Sequence, residues 1–488
     1  MLSISITVLV LLSVLGVFAW VGLAVGRDRD LEEFAVARNS QNATGLGLSF
    51  FASGVGAWIL FAAPEVGASA GIAGVLGYAL AITVPLAGLV LVGRRLRDLV
   101  PTGHSLVEFV RLRYGHVMYR YVLGISLVYM LVALAAELTA IGAVLTRLSD
   151  ADPRLGIVAV AAVTVLYTAY GGLRASIRTD RWQSWLLFAL LVVVGVTLAT
   201  TLPPRTAEGA RTLFDVDLAG IEGALALVVA VTATTLFHNG YWQRVWAARS
   251  DRALSRGALL GAATRFPVVL AAGLVGLLAA ASGVALGTPP VPFFALLEQQ
   301  PAWLLAVVLV LTVGLVASTV DTLQNGLAAV VVTDRPDVGL VGGRVATVAL
   351  TVLPMLVAFQ GYSVLRLFLI ADLFCAATIA PALFGLWRRS TSAGAVTGAL
   401  AGLVAALAYG YVAGGSLPAG VAIATFAGGL ALPPFLVAVA ASTAVTVLVS
   451  LAGRRTVDLR VLTEQVESLS VPVRADDFRS TETSEVTR

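Results

Sequence analysis

The sequence predicts an all-α integral membrane protein with about thirteen transmembrane helices. Hydrophobic residues make up 58% of the 488 positions and charged residues only 12%, a balance that soluble globular proteins do not have. Apolar runs long enough to cross the roughly 30 Å hydrocarbon layer recur along nearly the whole chain. A membrane β-barrel would instead show short segments of alternating polarity.

The apolar windows, bounded by charged or turn-forming clusters, place the helices. The predicted spans are residues 2–25, 44–71, 74–93, 118–146, 155–172, 183–202, 217–241, 257–285, 302–333, 341–360, 362–387, 392–413 and 432–453. The first window lacks a basic leader and is followed by Arg27 and Arg29, so we interpret it as a retained span and not as a signal peptide.

The arginines predict the orientation, because cytoplasmic loops of membrane proteins are enriched in basic residues. Alternate loops hold most of them: Arg27, Arg29, Arg38, Arg94, Arg95, Arg97, Arg111, Arg113, Arg174, Arg178, Arg181, Arg244, Arg249, Arg252, Arg256, Arg335, Arg388, Arg389, Arg454 and Arg455. The opposite loops hold Arg147, Arg154, Arg205 and Arg211. We therefore expect the N-terminus outside the cell membrane and a mobile, polar cytoplasmic tail at residues 454–488.

Composition also excludes several classes of protein. The net charge is +4, but the basic residues lie in loops and form no basic face, so no nucleic-acid partner is expected. All basic residues other than histidine are arginines, which excludes lysine Schiff-base chemistry. The single cysteine, Cys375, and three histidines make a metalloenzyme an unfavourable interpretation. With no nucleotide-binding loop either, we predict no enzyme activity and no organic cofactor.

The apolar stretch "FFASGVGAWILFAAPEVGASAG" (50–71) contains residues that can interrupt a membrane helix. Gly54 and Gly56 permit unwinding, and Pro64 removes a helical hydrogen bond. Bare backbone at membrane depth is tolerated where it faces protein, water or an ion. The alternative interpretation is that these glycines only let helices pack closely.

A second interruption favours the first interpretation. The segment "VVAVTATTLFHNGYWQRVWAARSD" accumulates Thr232, Thr234 and Thr235 and then carries His238, Asn239 and Gly240. If residues 1–43 form a peripheral helix and its loop, the broken spans open two groups of five spans, residues 44–202 and 203–390, followed by C-terminal helices at 391–453. Paired broken helices predict an inverted-repeat transporter with its site at the midplane.

A third polar cluster lies in "GLVASTVDTLQNGLAAVVV". Its polar members are Ser318, Thr319, Asp321, Thr322, Gln324 and Asn325. Hydroxyls are hard oxygen ligands for a small cation, and unwound carbonyls can complete the coordination shell. Alternatively, each hydroxyl bonds back to its own helix.

The chain resembles the sodium/solute symporter family, which includes the bacterial proline permeases. The resemblance is carried by "LSFFASGVGAW", "YTAYGGLRASIRTDRWQ", "YWQRVWAARS" and "VASTVDT", in this order across residues 38–390. It implies a LeuT-type fold of five plus five inverted-repeat helices and transport driven by sodium. On matching positions, Na⁺ would bind the backbone carbonyls of Ala52, Val55 and Leu315 and the hydroxyls of Ser318 and Thr319.

The resemblance further implies that Asp180 lies on the ion's exit path to the cytoplasm. From the residues alone, Asp180 is an acidic exception in an Arg-rich loop, and an ion pair with Arg178 or Arg181 is the alternative. Gly54, Gly56 and His238 depart from the proline-type pattern, which disfavours proline as the solute.

Charges inside spans supply candidate solute contacts, because an unpaired charge there is costly. These residues are Glu65, Glu137, Arg265, Arg366 and Asp372. We expect Glu137 or Glu65 to contact a polar or cationic part of the solute. The alternative is a structural Glu–Arg pair, with Arg366 as one partner. The full predicted solute site is Gly54, Gly56, Trp58, Phe61, Glu65, Glu137, Thr235, His238 and Asn239.

The sequence thus predicts a sodium-coupled symporter that imports a small polar organic solute by alternating access. Two rival interpretations stay open: a proton-coupled transporter that uses Glu65, Glu137 or His238, and a transporter-like membrane sensor that acts through a partner. The expected partners are the solute and the lipid bilayer. The sequence does not fix the oligomeric state.

Overall fold

The computed structural model describes residues 1–24, 37–201, 215–287, 290–298, 300–453 and 456–464. Arg27, Arg29, Arg205, Arg211, Arg454, Arg455 and most of the predicted tail lie outside these ranges. The described chain is helical. Its α-helices are α1 (Ile4–Leu23), α2 (Ala43–Gly54), α3 (Trp58–Leu99), α4 (Leu106–Tyr114), α5 (His116–Leu148), α6 (Pro153–Thr201), α7 (Leu218–Phe237), α8 (Asn239–Ala247), α9 (Asp251–Ala281), α10 (Pro292–Ala295), α11 (Ala302–Asp334), α12 (Gly339–Ala358), α13 (Val364–Leu383), α14 (Ser392–Gly414), α15 (Leu417–Ala424) and α16 (Pro433–Ala452).

Eleven helices in the described ranges are long and apolar enough to cross a membrane, fewer than the thirteen predicted spans. Two of the eleven contain a glycine with non-helical dihedral angles, Gly71 in α3 and Gly172 in α6. Both glycines lie where we predicted a boundary between two spans. The multi-pass architecture is therefore confirmed, whereas the count of thirteen stays a prediction.

Helix starts follow from side-chain caps. Asn42 Oδ1 accepts the Gly45 N–H at 2.8 Å at the start of α2, and Asp217 Oδ1 accepts the Gly220 N–H at 2.7 Å at the start of α7. Each cap satisfies one of the amide groups that a helix N-terminus leaves without a partner.

The most buried spans form the centre of the bundle. In α11, 78% of the most apolar window is buried, and in α5 72%, whereas in α12 the fraction is 22%. Helix α11 packs against α5 and α6, α2 packs against α9 and α6, and α3 packs against α9 and α7. The peripheral helices include α1, which lies on α6 and α11, and α14, which lies on α16.

Glycines allow α3 and α9 to approach each other closely. A Cβ on Gly67 would overlap the carbonyl of Gly273, and a Cβ on Gly276 would overlap the backbone of Pro64. Small residues at a crossing let membrane helices gain van der Waals contact. Pro64 is thus accommodated inside α3 and does not interrupt it.

One expectation about the loops is wrong. Residues 173–182 were expected to form an Arg-rich cytoplasmic loop, but they continue α6 as helix. Ser176, Thr179 and Asp180 are buried there. The reason is that this segment packs between α2 and α11 and exchanges hydrogen bonds with both.

Candidate functional site

The first predicted break occurs where the glycines indicated. Helix α2 ends at Gly54 and α3 begins at Trp58. The Val55 N–H reaches only the Ala52 carbonyl, at 3.3 Å. The Ala57 N–H at the start of α3 donates to Glu137 Oε2 at 2.9 Å. A carboxylate at a helix N-terminus satisfies an amide and interacts favourably with the helix dipole.

The second break is centred on His238, between α7 and α8. His238 Nδ1 accepts the Gly240 N–H at 3.0 Å and so caps α8. Its ring stacks on Tyr241 with centroids 4.7 Å apart. Asn239 takes no part in this stack among the ring contacts of the described residues, and its Nδ2 donates to the Gly326 carbonyl at 3.2 Å.

The proposed sodium ligands are all buried, on α2, on the break after it and on α11. Ser318 Oγ donates to Asp180 Oδ1 at 2.9 Å, and Thr319 Oγ1 donates to the Leu315 carbonyl at 3.3 Å. A Cβ on Gly56 would lie 2.6 Å from Thr319 Oγ1. The break and the α11 hydroxyls therefore adjoin each other.

Asp180 connects the helices around this region. Its Oδ2 accepts Ser49 Oγ of α2 at 2.6 Å and Arg244 Nη2 of α8 at 2.9 Å. The Asp180 and Arg244 side chains are both fully buried. The alternative that Arg178 or Arg181 pairs with Asp180 is wrong, because Arg181 instead donates to Gln41 Oε1 at 2.8 Å.

Asp321 forms a second buried polar cluster, between α11 and α6. Its carboxylate accepts hydroxyls from Tyr167 at 2.7 Å, Ser176 at 2.7 Å and Thr179 at 3.1 Å. A carboxylate can accept about four hydrogen bonds, so these three hydroxyls fit within the capacity of Asp321. The cluster fixes the position of α11 against the helix that carries Asp180.

A cavity of about 90 Å³ lies between the two breaks. It is lined by Ser53, Gly54, Trp58, Tyr78, Ile82, Tyr129, Ala133, Glu137, Val231, Thr234, Thr235, His238, Tyr241, Thr319, Leu323, Phe368 and Asp372. The structure thus brings together Gly54, Trp58, Glu137, Thr235 and His238 of the predicted solute site. Gly56 is not among the lining residues but contacts one of them, because a Cβ on Gly56 would overlap Glu137 Oε1. Asn239 is not among the lining residues either.

Phe61 and Glu65 lie elsewhere. Both line a larger cavity of about 610 Å³, together with Arg147 and Arg154. Glu65 also lines a neighbouring cavity of about 680 Å³ with Arg366. These two cavities lie at the end of the molecule that carries the few arginines.

Sequence reasoning missed several residues of the site. Asp372 was noted only as a charge inside a span, and it accepts Thr234 Oγ1 at 2.5 Å inside the cavity. Tyr78 and Tyr129 belong to none of the polar clusters or motifs of the sequence, and Tyr241, which begins the "YWQRVWAARS" stretch, was not assigned to the solute site. Arg244 was assigned to the cytoplasmic cluster, yet it is buried because Asp180 pairs with it.

The proposed pairing of Arg366 with a glutamate is also wrong. Arg366 Nε donates to the Thr425 carbonyl at 2.9 Å, and its Nη2 donates to Thr425 Oγ1 at 3.0 Å. Arg265, the other arginine inside a span, donates to the Phe50 carbonyl and to the Tyr241 hydroxyl. It thereby places a positive charge near the C-terminal end of α2.

Comparison with known proteins finds a symporter family and two fungal transporters. The family model for the sodium:solute symporter family matches residues 34–206. A spermidine transporter of Candida albicans is 28% identical over 362 residues, which is 73% of this chain and 70% of that protein. A protein of Schizosaccharomyces pombe named "Probable urea active transporter 1" is 24% identical over 247 residues, which is 46% of this chain and 36% of that protein.

Solved structures agree in fold. A Na⁺-coupled sialic acid symporter in a substrate-bound outward-open state superposes with a TM-score of 0.74 at 16% identity, over 93% of this chain and 99% of that one. Mhp1, a nucleobase-cation-symport-1 family transporter in a closed conformation with bromovinylhydantoin bound, gives 0.58 at 15% identity, over 88% and 98%. The resemblance of this multi-pass membrane protein to the sodium:solute symporter family, predicted from its motifs, is confirmed.

Proposed function

We propose that the protein is a sodium-coupled symporter that imports a small polar organic solute by alternating access. The proposal includes two inverted repeats, residues 44–202 and 203–390, and the orientation with the C-terminus in the cytoplasm. One observation carries it: the interruption at Val55–Ala57 lies directly against Thr319 of α11. Interrupted backbone beside hydroxyls at membrane depth is the arrangement in which transporters bind ions.

The donor set fits Na⁺. Ser318 and Thr319 both give their protons to protein acceptors, which leaves oxygen lone pairs for a cation. The carbonyls of Ala52, Val55 and Leu315 supply further neutral oxygens. The described residues contain no group of three or more His, Cys, Asp or Glu side chains that suits a transition metal. Neutral oxygen ligands favour a hard cation of low charge.

Coupling follows from the position of this site between two helices. A sodium ion held by α2 and α11 stabilises only the states in which these helices adjoin. Solute binds the cavity beside Thr319 and Gly54, so each ligand favours the conformation that the other needs. Differential affinity of this kind transmits the ion gradient to the solute.

The class of solute is supported by the cavity and by the relatives. Carboxylates, hydroxyls and aromatic rings line the cavity between the breaks. The named substrates of the fungal relatives, spermidine and urea, are both small polar nitrogen compounds. Together they favour a small polar organic solute for this chain.

The test is thermal unfolding of the purified protein in NaCl and in KCl. Sodium at about 100 times its Kd should stabilise the folded state by about 2.7 kcal/mol, and Tm should rise accordingly. The double variant Ser318→Ala/Thr319→Ala should lose this rise. Thr312→Ala is the matched control, because Thr312 lies on the same helix and bonds back to Val308. Equal Tm values in both salts, or a rise that survives in the double variant, would contradict the sodium site.

A further inference from the structure

Two carboxylates face the central cavity without a fixed positive partner. Glu137 Oε2 is held by the Ala57 amide, but Glu137 Oε1 has no hydrogen-bond partner among the described residues. Asp372 accepts the Thr234 hydroxyl. Glu137 is fully buried and Asp372 is 7% exposed. A buried carboxylate of this kind needs a proton or a cation to balance it.

The nearby arginines form their hydrogen bonds with groups other than these two carboxylates. Arg244 pairs with Asp180, and Arg366 donates to Thr425. Arg265 donates to the Phe50 carbonyl and lies over the Tyr241 ring at 5.3 Å. In the described ranges no arginine forms an ion pair with Glu137 or Asp372. Among the described residues Arg265 has only neutral acceptors, and its Nε has no hydrogen-bond partner. It forms no ion pair with either carboxylate, so a direct counter-charge for the two comes from a ligand or from protons.

The remaining walls suit an organic cation. The rings of Trp58 and Tyr78 line the cavity with their centroids 5.1 Å apart. Tyr129 and Tyr241 line the side near His238. Aromatic faces attract ammonium groups and pack on their methylene chains. A cavity of about 90 Å³ admits a slim, linear molecule more readily than a sugar ring.

A third carboxylate lies outside the central cavity. Glu65 lies at the wall shared by both outer cavities, on the same helix as Trp58 and about two turns from it. The outer cavities also hold Arg147, Arg154 and Arg366, so Glu65 does not make them acidic, and the case for a cation rests on the central pair.

We propose that the solute is a linear organic dication, such as a short diamine or polyamine, whose ammonium groups bind Glu137 and Asp372. This inference rests on the proposed transport function and narrows its solute class. The two carboxylates each accept one ammonium, while the tyrosine and tryptophan rings cover the chain between them.

The experiment measures binding of putrescine, butylamine and urea to the purified full-length protein in NaCl by isothermal titration. Putrescine should bind more tightly than butylamine, because only the diamine engages both carboxylates. Glu137→Gln and Asp372→Asn should each weaken putrescine binding by roughly tenfold or more and abolish its preference over butylamine. Glu222→Gln, which removes an exposed carboxylate of α7 away from the cavity, should bind as the wild type does.

Three results would overturn the inference: no binding of putrescine, putrescine binding unchanged in both variants, or urea binding that exceeds diamine binding. The sodium-dependent rise in Tm, recorded without solute, separates this inference from the transport proposal. If sodium stabilises the wild type and both variants, the proteins are folded and the ion site is intact, so a missing diamine signal counts against the solute class alone. If putrescine binds equally in NaCl and KCl, sodium coupling fails and the solute class stands.

Discussion

Gly56 occupies a position that no side chain can share. A Cβ there would overlap Glu137 Oε1 and would lie 2.6 Å from Thr319 Oγ1. Because both neighbours are buried and belong to the proposed solute and sodium sites, the smallest side chain disturbs both sites at once. Glycine is therefore required here by space and not by its backbone freedom.

We expect Gly56→Ala to abolish both the sodium-dependent rise in Tm and solute binding, at a stability cost of about 1–3 kcal/mol from overpacking. Gly124→Ala is the control, because a Cβ at Gly124 of α5 meets nothing within 4 Å. Thermal unfolding in NaCl and KCl checks both variants. An unchanged sodium response in Gly56→Ala would show that the break and α11 do not share an ion.

Single residues also show where sequence reasoning ends. Glu137 and His238 could be singled out because a charge or an imidazole inside an apolar span is rare. The role of Arg244 could not, since its neighbours in sequence are surface arginines and its partner Asp180 lies 64 positions away. Tyr78 and Tyr129 resemble ordinary membrane aromatics in the sequence, and only the fold shows that both line the central cavity.

At the scale of elements, both helix breaks were predictable because glycine and short polar residues mark them locally. The helix that follows Gly172 in α6 was not predictable, because the Arg-rich stretch 173–182 resembles a loop in composition. It stays helical because Asp180 and Thr179 find partners on α2, α8 and α11. Such partners are distant in sequence, and no local pattern reveals them.

The buried Asp180–Arg244 pair joins α6 to α8, and Ser49 and Ser318 extend the connection to α2 and α11. We expect Arg244→Met to destabilise the protein by about 3–5 kcal/mol, because it leaves the Asp180 carboxylate buried without its cation. The double variant Asp180→Asn/Arg244→Met should recover much of this loss. Thermal unfolding in detergent gives the comparison.

The exposed pair Arg335–Asp337 provides the control. Its side chains are 68% and 72% exposed, so Arg335→Met should change stability by less than about 1 kcal/mol. A double variant at positions 180 and 244 that is no more stable than Arg244→Met alone would mean that the arginine acts through packing and not through charge.

At the scale of the whole molecule, the two ends differ. At the Arg-rich end, backbone hydrogen bonds join the chain before α2 to the end of α8 and the residues after it. The Gln41 N–H donates to the Ala247 carbonyl at 2.9 Å, and the Arg249 N–H donates to the Gln41 carbonyl at 3.0 Å. At the opposite end, the cavities of about 610 and 680 Å³ reach inward to Phe61 and Glu65. Within the described ranges, backbone hydrogen bonds thus join the chain at the end where the positive-inside rule puts the cytoplasm, and two wide cavities lie at the end where it puts the exterior.

This asymmetry predicts which cysteines a membrane-impermeant maleimide can reach. Thr139 and Thr146 both line the 610 Å³ cavity on α5; Thr139 is buried, and Thr146 is exposed nearer the end of the helix. In intact cells Thr146→Cys should be labelled in either salt. Thr139→Cys should react faster in NaCl than in KCl, because sodium favours the state that is open to the outside. The wild type is the blank, since its one cysteine, Cys375, is fully buried.

The two variants test the orientation and the sodium coupling separately. If Thr146→Cys reacts only after the membrane is permeabilised, the cavities face the cytoplasm and the predicted orientation is wrong. If Thr139→Cys reacts at the same rate in both salts, sodium does not bias the opening, and coupling through the site between α2 and α11 is contradicted. Faster labelling of Thr139→Cys in sodium that disappears in the Ser318→Ala/Thr319→Ala background would connect the ion site to the opening of the cavity.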